Sequence, residues 1–144
     1  VRIVFDTASF ITALRSSDGS AGEVLRLILG RKLVPLMDHK LGLEYRDVAL
    51  RPEQLQAFGL STVEVFTVIE AIEALAESVK VVVRHGPLSP DPNDDMILDI
   101  AINGKAEALV TKNTKDFKSA GKQYGLPVLT PRELLMQRGL QDGD

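Results

Sequence analysis

Apolar residues come in short runs that alternate with amphipathic stretches, the pattern of strands interleaved with helices. Ile3-Val4-Phe5 reads as a buried strand closed by the carboxylate of Asp6, and Ala8 to Leu14 as a helix. After the Ser16–Ser20 loop, Glu23 to Gly30 places Val24, Leu27 and Ile28 at helical spacing, with Gly30 as its stop. Leu33 to Met37 is a second strand. Asp38 then caps a helix reaching about Leu50, with Leu41, Tyr45 and Val48 on its inner side. Pro52 opens a short helix, Ser61 to Ser78 is a long one, and Val79 to Val83 is a β-rich third strand. The Pro- and Gly-containing stretch Arg84 to Asn93 is a structured loop before a helix from Asp94 to Asn103, stopped by Gly104. Ala108-Leu109-Val110 and Pro127-Val128-Leu129 complete the strands. Thr130-Pro131-Arg132-Glu133 carries the cap, first-turn proline and capping-box glutamate of a last helix.

This alternation predicts an α/β domain: a mostly parallel central sheet of four to five strands, flanked by helices on both faces. Its 144 residues fit one domain spanning 1–144, with a loose C-terminal tail from about 138 to 144. Composition, 44% hydrophobic and 26% charged, excludes disordered and fibrous classes. Cysteine is absent, which removes disulfides, thiolate zinc sites and cysteine nucleophiles. No apolar run approaches the roughly 20 residues of a membrane span, and no basic-then-apolar leader opens the chain. The expectation is a cytoplasmic protein with no membrane partner. A net charge of −3 decides nothing about nucleic acid, because a bound divalent cation reverses the field of an acidic cluster.

The placement of the acids is more informative. Sites in open α/β sheets form beyond the carboxyl ends of strands. Asp6 ends the first strand, and Thr111 follows the fourth, leading to Asn113 and Asp116. Asp6 is either a ligand or a helix cap. Glu44 falls within the apolar stripe of its helix, so it needs a cation, a donor or an opening to water; a partly exposed edge position or an arginine partner is the plainer alternative. Asp91-Pro92-Asn93-Asp94-Asp95 crowds acids at a helix start. Capping accounts for one of them, Asp94 or an earlier residue, but not for Asp95 and Asp99, which repel at i and i+4 unless solvated or bridged by a cation. Carboxylates converging at one end of a sheet suit Mg²⁺ or Mn²⁺. Other chemistries lack their signatures. There is no Gly-rich phosphate loop, His39 and His85 have no metal-ligand spacing, and Ala8 stands where aspartyl-phosphate chemistry at Asp6 expects a second acid.

Four segments together resemble the PIN-domain nuclease family. They are Val4-Phe5-Asp6-Thr7; Glu44 to Val48 followed by Arg51-Pro52-Glu53; Asp91 through Asp99; and Ala108 to Thr111 running through Asn113 to Asp116-Phe117. Their order and spacing resemble the branch of toxin components of toxin–antitoxin systems, over about Arg2 to Leu135. The resemblance implies a metal-dependent ribonuclease with Mg²⁺ or Mn²⁺ held by Asp6, Glu44 and Asp95. It places the fourth acid on Asp116, with Asn113 as the competing alignment, and adds Asp99 as a further acid that binds metal or water. These proteins usually carry a polar residue, commonly Asn, where this chain has Ala8; Thr7, Ser9 or Thr111 then supplies the missing group. Arg15, Lys112, Lys115 and Lys118 flank the acids and are candidate RNA phosphate contacts. The partners implied are single-stranded RNA, a cognate antitoxin protein and a second copy in a homodimer. Two rival readings stay open: a catalytically degenerate RNA- or partner-binding module, favoured by Ala8, and a housekeeping nuclease of structured RNA or flaps.

Overall fold

The structure is a computed structural model and describes residues 1–88 and 91–138. Most of the expected loose tail, from residue 139 on, lies outside the described residues. In chain order the elements are β1 (Arg2–Phe5), α1 (Thr7–Arg15), α2 (Ser20–Leu29), β2 (Val34–Met37), α3 (His39–Ala49), α4 (Pro52–Phe58), α5 (Thr62–Leu75), β3 (Glu77–Ser78), α6 (Pro92–Asn103), β4 (Ala108–Val110), α7 (Thr114–Tyr124), β5 (Val128–Leu129) and α8 (Pro131–Gln137).

The five strands form one sheet in the order β3-β2-β1-β4-β5, and every pair is parallel. The chain winds outward from β1 to β3 and then returns to build β4 and β5 on the other side. Right-handed crossovers in opposite directions put the connecting helices on opposite faces. Accordingly α1, α2, α3 and α5 pack together, while α6 packs with α7. The reversal leaves a crevice between the carboxyl ends of β1 and β4, the place where such sheets bind ligands.

Ile3, Val4, Leu36, Leu109 and Val110 are fully buried in the sheet, beneath Val24, Ile28, Leu41 and Ile69 from one layer and Leu98 from the other. Tyr45 ties α3 to the end of β1. Its ring stacks on Phe10 with centroids 4.4 Å apart, and its hydroxyl donates to the Phe5 carbonyl at 2.5 Å. Local signals are obeyed at the helix starts. Asp38 accepts from Leu41 N–H at 2.9 Å, and Thr130 and Glu133 form a reciprocal capping box.

Four elements differ from expectation. The long helix ends at Leu75, and the third strand is Glu77–Ser78 rather than Val79–Val83. Val79 N–H still reaches the Met37 carbonyl at 2.9 Å, but the amides of Val82 and Val83 both donate to Asn103 Oδ1 at 3.1 Å. A side chain of α6 therefore takes the donors that a ladder needs, and Val82 and Val83 are exposed. The helix expected from Asp94 starts earlier, at Pro92, with Asp91 as its cap. Helix α7 was not anticipated at all. It buries Phe117, Ala120 and Gly121 and ends at Gly125, whose φ of 64° suits a residue without Cβ.

Candidate active site

Asp6 sits at the crevice. As the cap of α1 its Oδ1 accepts from Ser9 N–H at 2.9 Å, while Oδ2 accepts the Thr111 hydroxyl at 2.6 Å. Thr111 Oγ1 in turn accepts from Asn113 N–H at 3.0 Å, so β1 and β4 are joined through a relay of donors ending on one carboxylate. Asp6 is only 5% exposed. Burial raises its pKa, and the hydrogen bonds from Thr111 and Ser9, with the charge of Lys112, oppose that rise. The Ser9 hydroxyl is buried beside Asp6, and the hydrogen bond that Ser9 makes to the carboxylate with good geometry is from its backbone N–H. Next in the chain, Thr7 donates its hydroxyl to Glu44 Oε1. The first turn of α1 thus holds one acid and orients another. Glu44 is half-buried, and its donor is a threonine rather than an arginine.

These two acids line a cavity of about 430 Å³ together with Asp94. Thr7, Ala8, Arg15, Asp91 and Asn113 also line it, over the apolar side chains of Ile11, Val48 and Ile97. The Asp94 carboxyl is pushed up to about 6, first by desolvation and then by the charges of Asp91, Asp116, Asp6 and Asp95. The cavity therefore concentrates negative charge. Among the described residues, no three acid or histidine side chains close around a single ion position.

From α6 and its cap, Asp94 and Asp91 line this cavity and Asp95 does not. Successive side chains of α6 turn by about 100°, so Asp95 points to the neighbouring side. There it accepts Leu88 N–H at 2.9 Å. One turn on, the buried Asp99 accepts His85 N–H at 2.9 Å and lies 3.4 Å from His85 Nδ1. Another turn on, Asn103 accepts from Val82 and Val83. Asp95, Asp99 and Asn103 form one stripe that pins residues 82–88 along α6 as a strap. Backbone N–H groups supply partners to the i and i+4 acids, so their spacing does not require a cation. Asp95 and Asp99 border a second cavity of about 370 Å³, with Asp38, Lys40 and Arg84, on the other side of Asn93.

The remaining candidates divide. Asn113 lines the acidic cavity, whereas Asp116 is exposed on the first turn of α7 and reaches Asp94 only through its field. Arg15 stands at the rim, its Nε donating to Gln54 at 3.1 Å. Lys112 acts on Asp6 by its charge, and Lys115 and Lys118 are exposed on α7 away from the cavity wall. Sequence reasoning marks Asp94 only as a cap candidate, and it lines the cavity. Its signal was its spacing from Ile97, three residues on, which puts the two on one face of α6.

A doubly wound parallel sheet with carboxylates gathered at its switch point defines an α/β protein with a polar, enzyme-like crevice. The family model of the PIN domain matches residues 2–115, and the chain belongs to that family. PIN domains are generally nucleases, hydrolases of phosphodiester bonds, and that general function extends to this chain. The match takes in Asp6, Glu44, Asp94 and Asn113 and stops one residue short of Asp116. No curated protein and no solved structure matches the chain. Among the described residues no single helix is long and apolar enough to cross a membrane.

Proposed function

We propose that this PIN domain is a Mg²⁺- or Mn²⁺-dependent endoribonuclease that cuts single-stranded RNA, with Asp6, Glu44 and Asp94 as its acidic set. The observation that carries this reading is that these three carboxylates line one cavity, together with Asp91, and that Asp94 is pushed up to about 6, first by desolvation and then by neighbouring charges. The donor chemistry fits a hard divalent cation: all three are carboxylate oxygens, and their mutual repulsion is what such an ion relieves. When bound, it supplies charge neutralisation and an acidified water for attack on phosphorus. The chain's own groups do the positioning. Thr111 and the Ser9 amide orient Asp6, and Thr7 orients Glu44. Arg15 at the rim, with its forked donors, suits a phosphate entering the cavity.

The biological reading follows the family resemblance: a cytoplasmic, homodimeric toxin restrained by a small antitoxin that covers the acidic cavity. Asp95, Asp99 and Asp116 have no first role in this set, because two of them hold the strap and the third lies outside the cavity. A second reading has a specific observation in its favour. Ala8 lines the cavity, and Asn113 rather than an acid lines it from the β4 side, so two positions lack the polar or acidic group expected there. That favours a binding module that has lost catalysis.

Labelled single-stranded RNA, duplex RNA and DNA, each with Mn²⁺, Mg²⁺ or EDTA, separate these readings. Metal-dependent cutting of single-stranded RNA alone supports the proposal. Preferential cutting of structured RNA or DNA flaps favours the housekeeping nuclease. A rise in melting temperature with Mn²⁺ but no cutting of any substrate favours the binding module.

A further inference from the structure

Residues 112–124 hold four lysines and one acid in a chain whose net charge is −3. Lys115, Lys118 and Lys122 recur at i, i+3 and i+7, which places them on one side of α7. That side is opposite the buried Phe117, Ala120 and Gly121, and all three lysines are exposed. Lys112 precedes them, next to the Thr111 that donates to Asp6. Two exposed arginines elsewhere are held by nearby acids, Arg26 by Glu23 and Arg51 by Asp47. Among the described residues none of the four lysines is in an ion pair. A row of like charges repels itself by a few tenths of a kcal/mol per pair, a cost that a bound polyanion removes.

We propose that Lys115, Lys118 and Lys122 form a rail on α7 for the phosphates of a single nucleic-acid strand, leading past Lys112 to the acidic cavity. This rests on the nuclease reading and deepens it by assigning a path for the substrate outside the cavity. From Lys115 to Lys122 the rail is about 10 Å long, at about 1.5 Å per residue. Lysines are compact point charges that grip phosphate without reading bases, so the rail contributes affinity and no sequence preference. A single convex row follows one backbone. The substrate it favours is therefore an unpaired strand extending beyond the cut.

The test is equilibrium binding of a labelled single-stranded RNA, followed by anisotropy in EDTA across a salt series. Three proteins are compared: wild type, Lys115→Gln/Lys118→Gln/Lys122→Gln, and a control of equal charge change, Lys32→Gln/Lys80→Gln/Lys105→Gln, whose lysines are exposed outside α7. Single strands lose about 0.7 in the log–log salt slope per phosphate contact, so the α7 variant should be flatter than wild type by about 2. The control should keep the wild-type slope. Equal slopes in the two variants, or a wild type that binds no RNA, overturn the rail. Adding Mn²⁺ to the same samples keeps the two claims apart. Cleavage with no α7 dependence of binding sinks the rail alone, and α7-dependent binding without cleavage sinks the nuclease reading alone.

Discussion

Asp94 and Asp95 are neighbours in the chain and open onto different cavities. One residue of helical phase separates an acid that shares a cavity with Asp6 and Glu44 from an acid that binds the Leu88 amide. The stripe begun by Asp95 continues through Asp99 and Asn103, and each of these side chains accepts backbone N–H groups of the 82–88 strap.

The strap makes a stability prediction. Asp99→Ala leaves the His85 amide without its acceptor and removes a buried, charge-assisted hydrogen bond, a loss of about 1–3 kcal/mol. Thermal unfolding should show a melting temperature lower by several degrees, at about 2–4 °C per kcal/mol for a chain of this size. Amide exchange should quicken over 82–88, while the stabilisation by Mn²⁺ stays at its wild-type value. A lost Mn²⁺ response would return Asp99 to the metal set.

How much of this was legible in the sequence depends on how local each signal is. Asp38, Thr130 and Glu133 act within three residues of themselves, and their caps form as their spacing predicts. Asp6 was readable as a cap, and it is one; it also lines the acidic cavity. Val79–Val83 misled because β-branched residues declare a preference for extended backbone, not a partner; Asn103, twenty residues away, captures their amides. The Asp95–Asp99 repulsion was real as a pattern, but its relief came from the strap, a tertiary contact no spacing rule shows. Asp94 was within reach: it lies three residues before Ile97, a spacing that puts both on one face of α6, and both line the cavity.

The raised Asp94 carboxyl predicts a pH dependence. Its pKa is about 6 in the fold against 3.8 for the free side chain, so the fold favours the neutral form. That contribution is fully present below about pH 3.8 and is lost as pH rises through about 6. Asp94→Asn mimics the neutral form. Without metal, its melting temperature should match wild type near pH 4, exceed it increasingly up to pH 7, and hold a constant lead above that. Equal melting temperatures across this range would show that Asp94 bears no net repulsion.

Thr111→Val keeps the shape of the side chain and removes the donor to Asp6. Asp6 is already raised by burial, and Thr111 is the foremost group opposing that rise. The variant should lose about 1–3 kcal/mol in chemical denaturation at neutral pH. The acidic limb of its metal-dependent cleavage profile should move to higher pH, because a cation must displace a proton that Asp6 holds more tightly.

Ala8 is exposed and lines the cavity, so a larger polar side chain fits there without repacking the core. Ala8→Asn should change stability by no more than the helix-propensity difference, roughly 0.5 kcal/mol. It should raise the rate of Mn²⁺-dependent RNA cleavage. Asn113→Asp adds a carboxylate to the same cavity and should lower the Mn²⁺ concentration needed for half-maximal stabilisation. Unchanged rate and unchanged metal response in both would show that these two positions do not limit the site.

The most direct measurement is Mn²⁺-dependent cleavage of labelled single-stranded RNA by Asp94→Asn beside Asp95→Asn. Each variant removes one negative charge from adjacent residues of one helix, so only the cavity each side chain faces differs. If Asp94 completes the acidic set with Asp6 and Glu44, Asp94→Asn should lose at least about a hundredfold in rate, the loss of roughly 2.7 kcal/mol of transition-state stabilisation. Asp95→Asn retains an oxygen for the Leu88 amide and should cut within a fewfold of wild type. The reverse order, with Asp95→Asn inactive and Asp94→Asn active, would contradict the account.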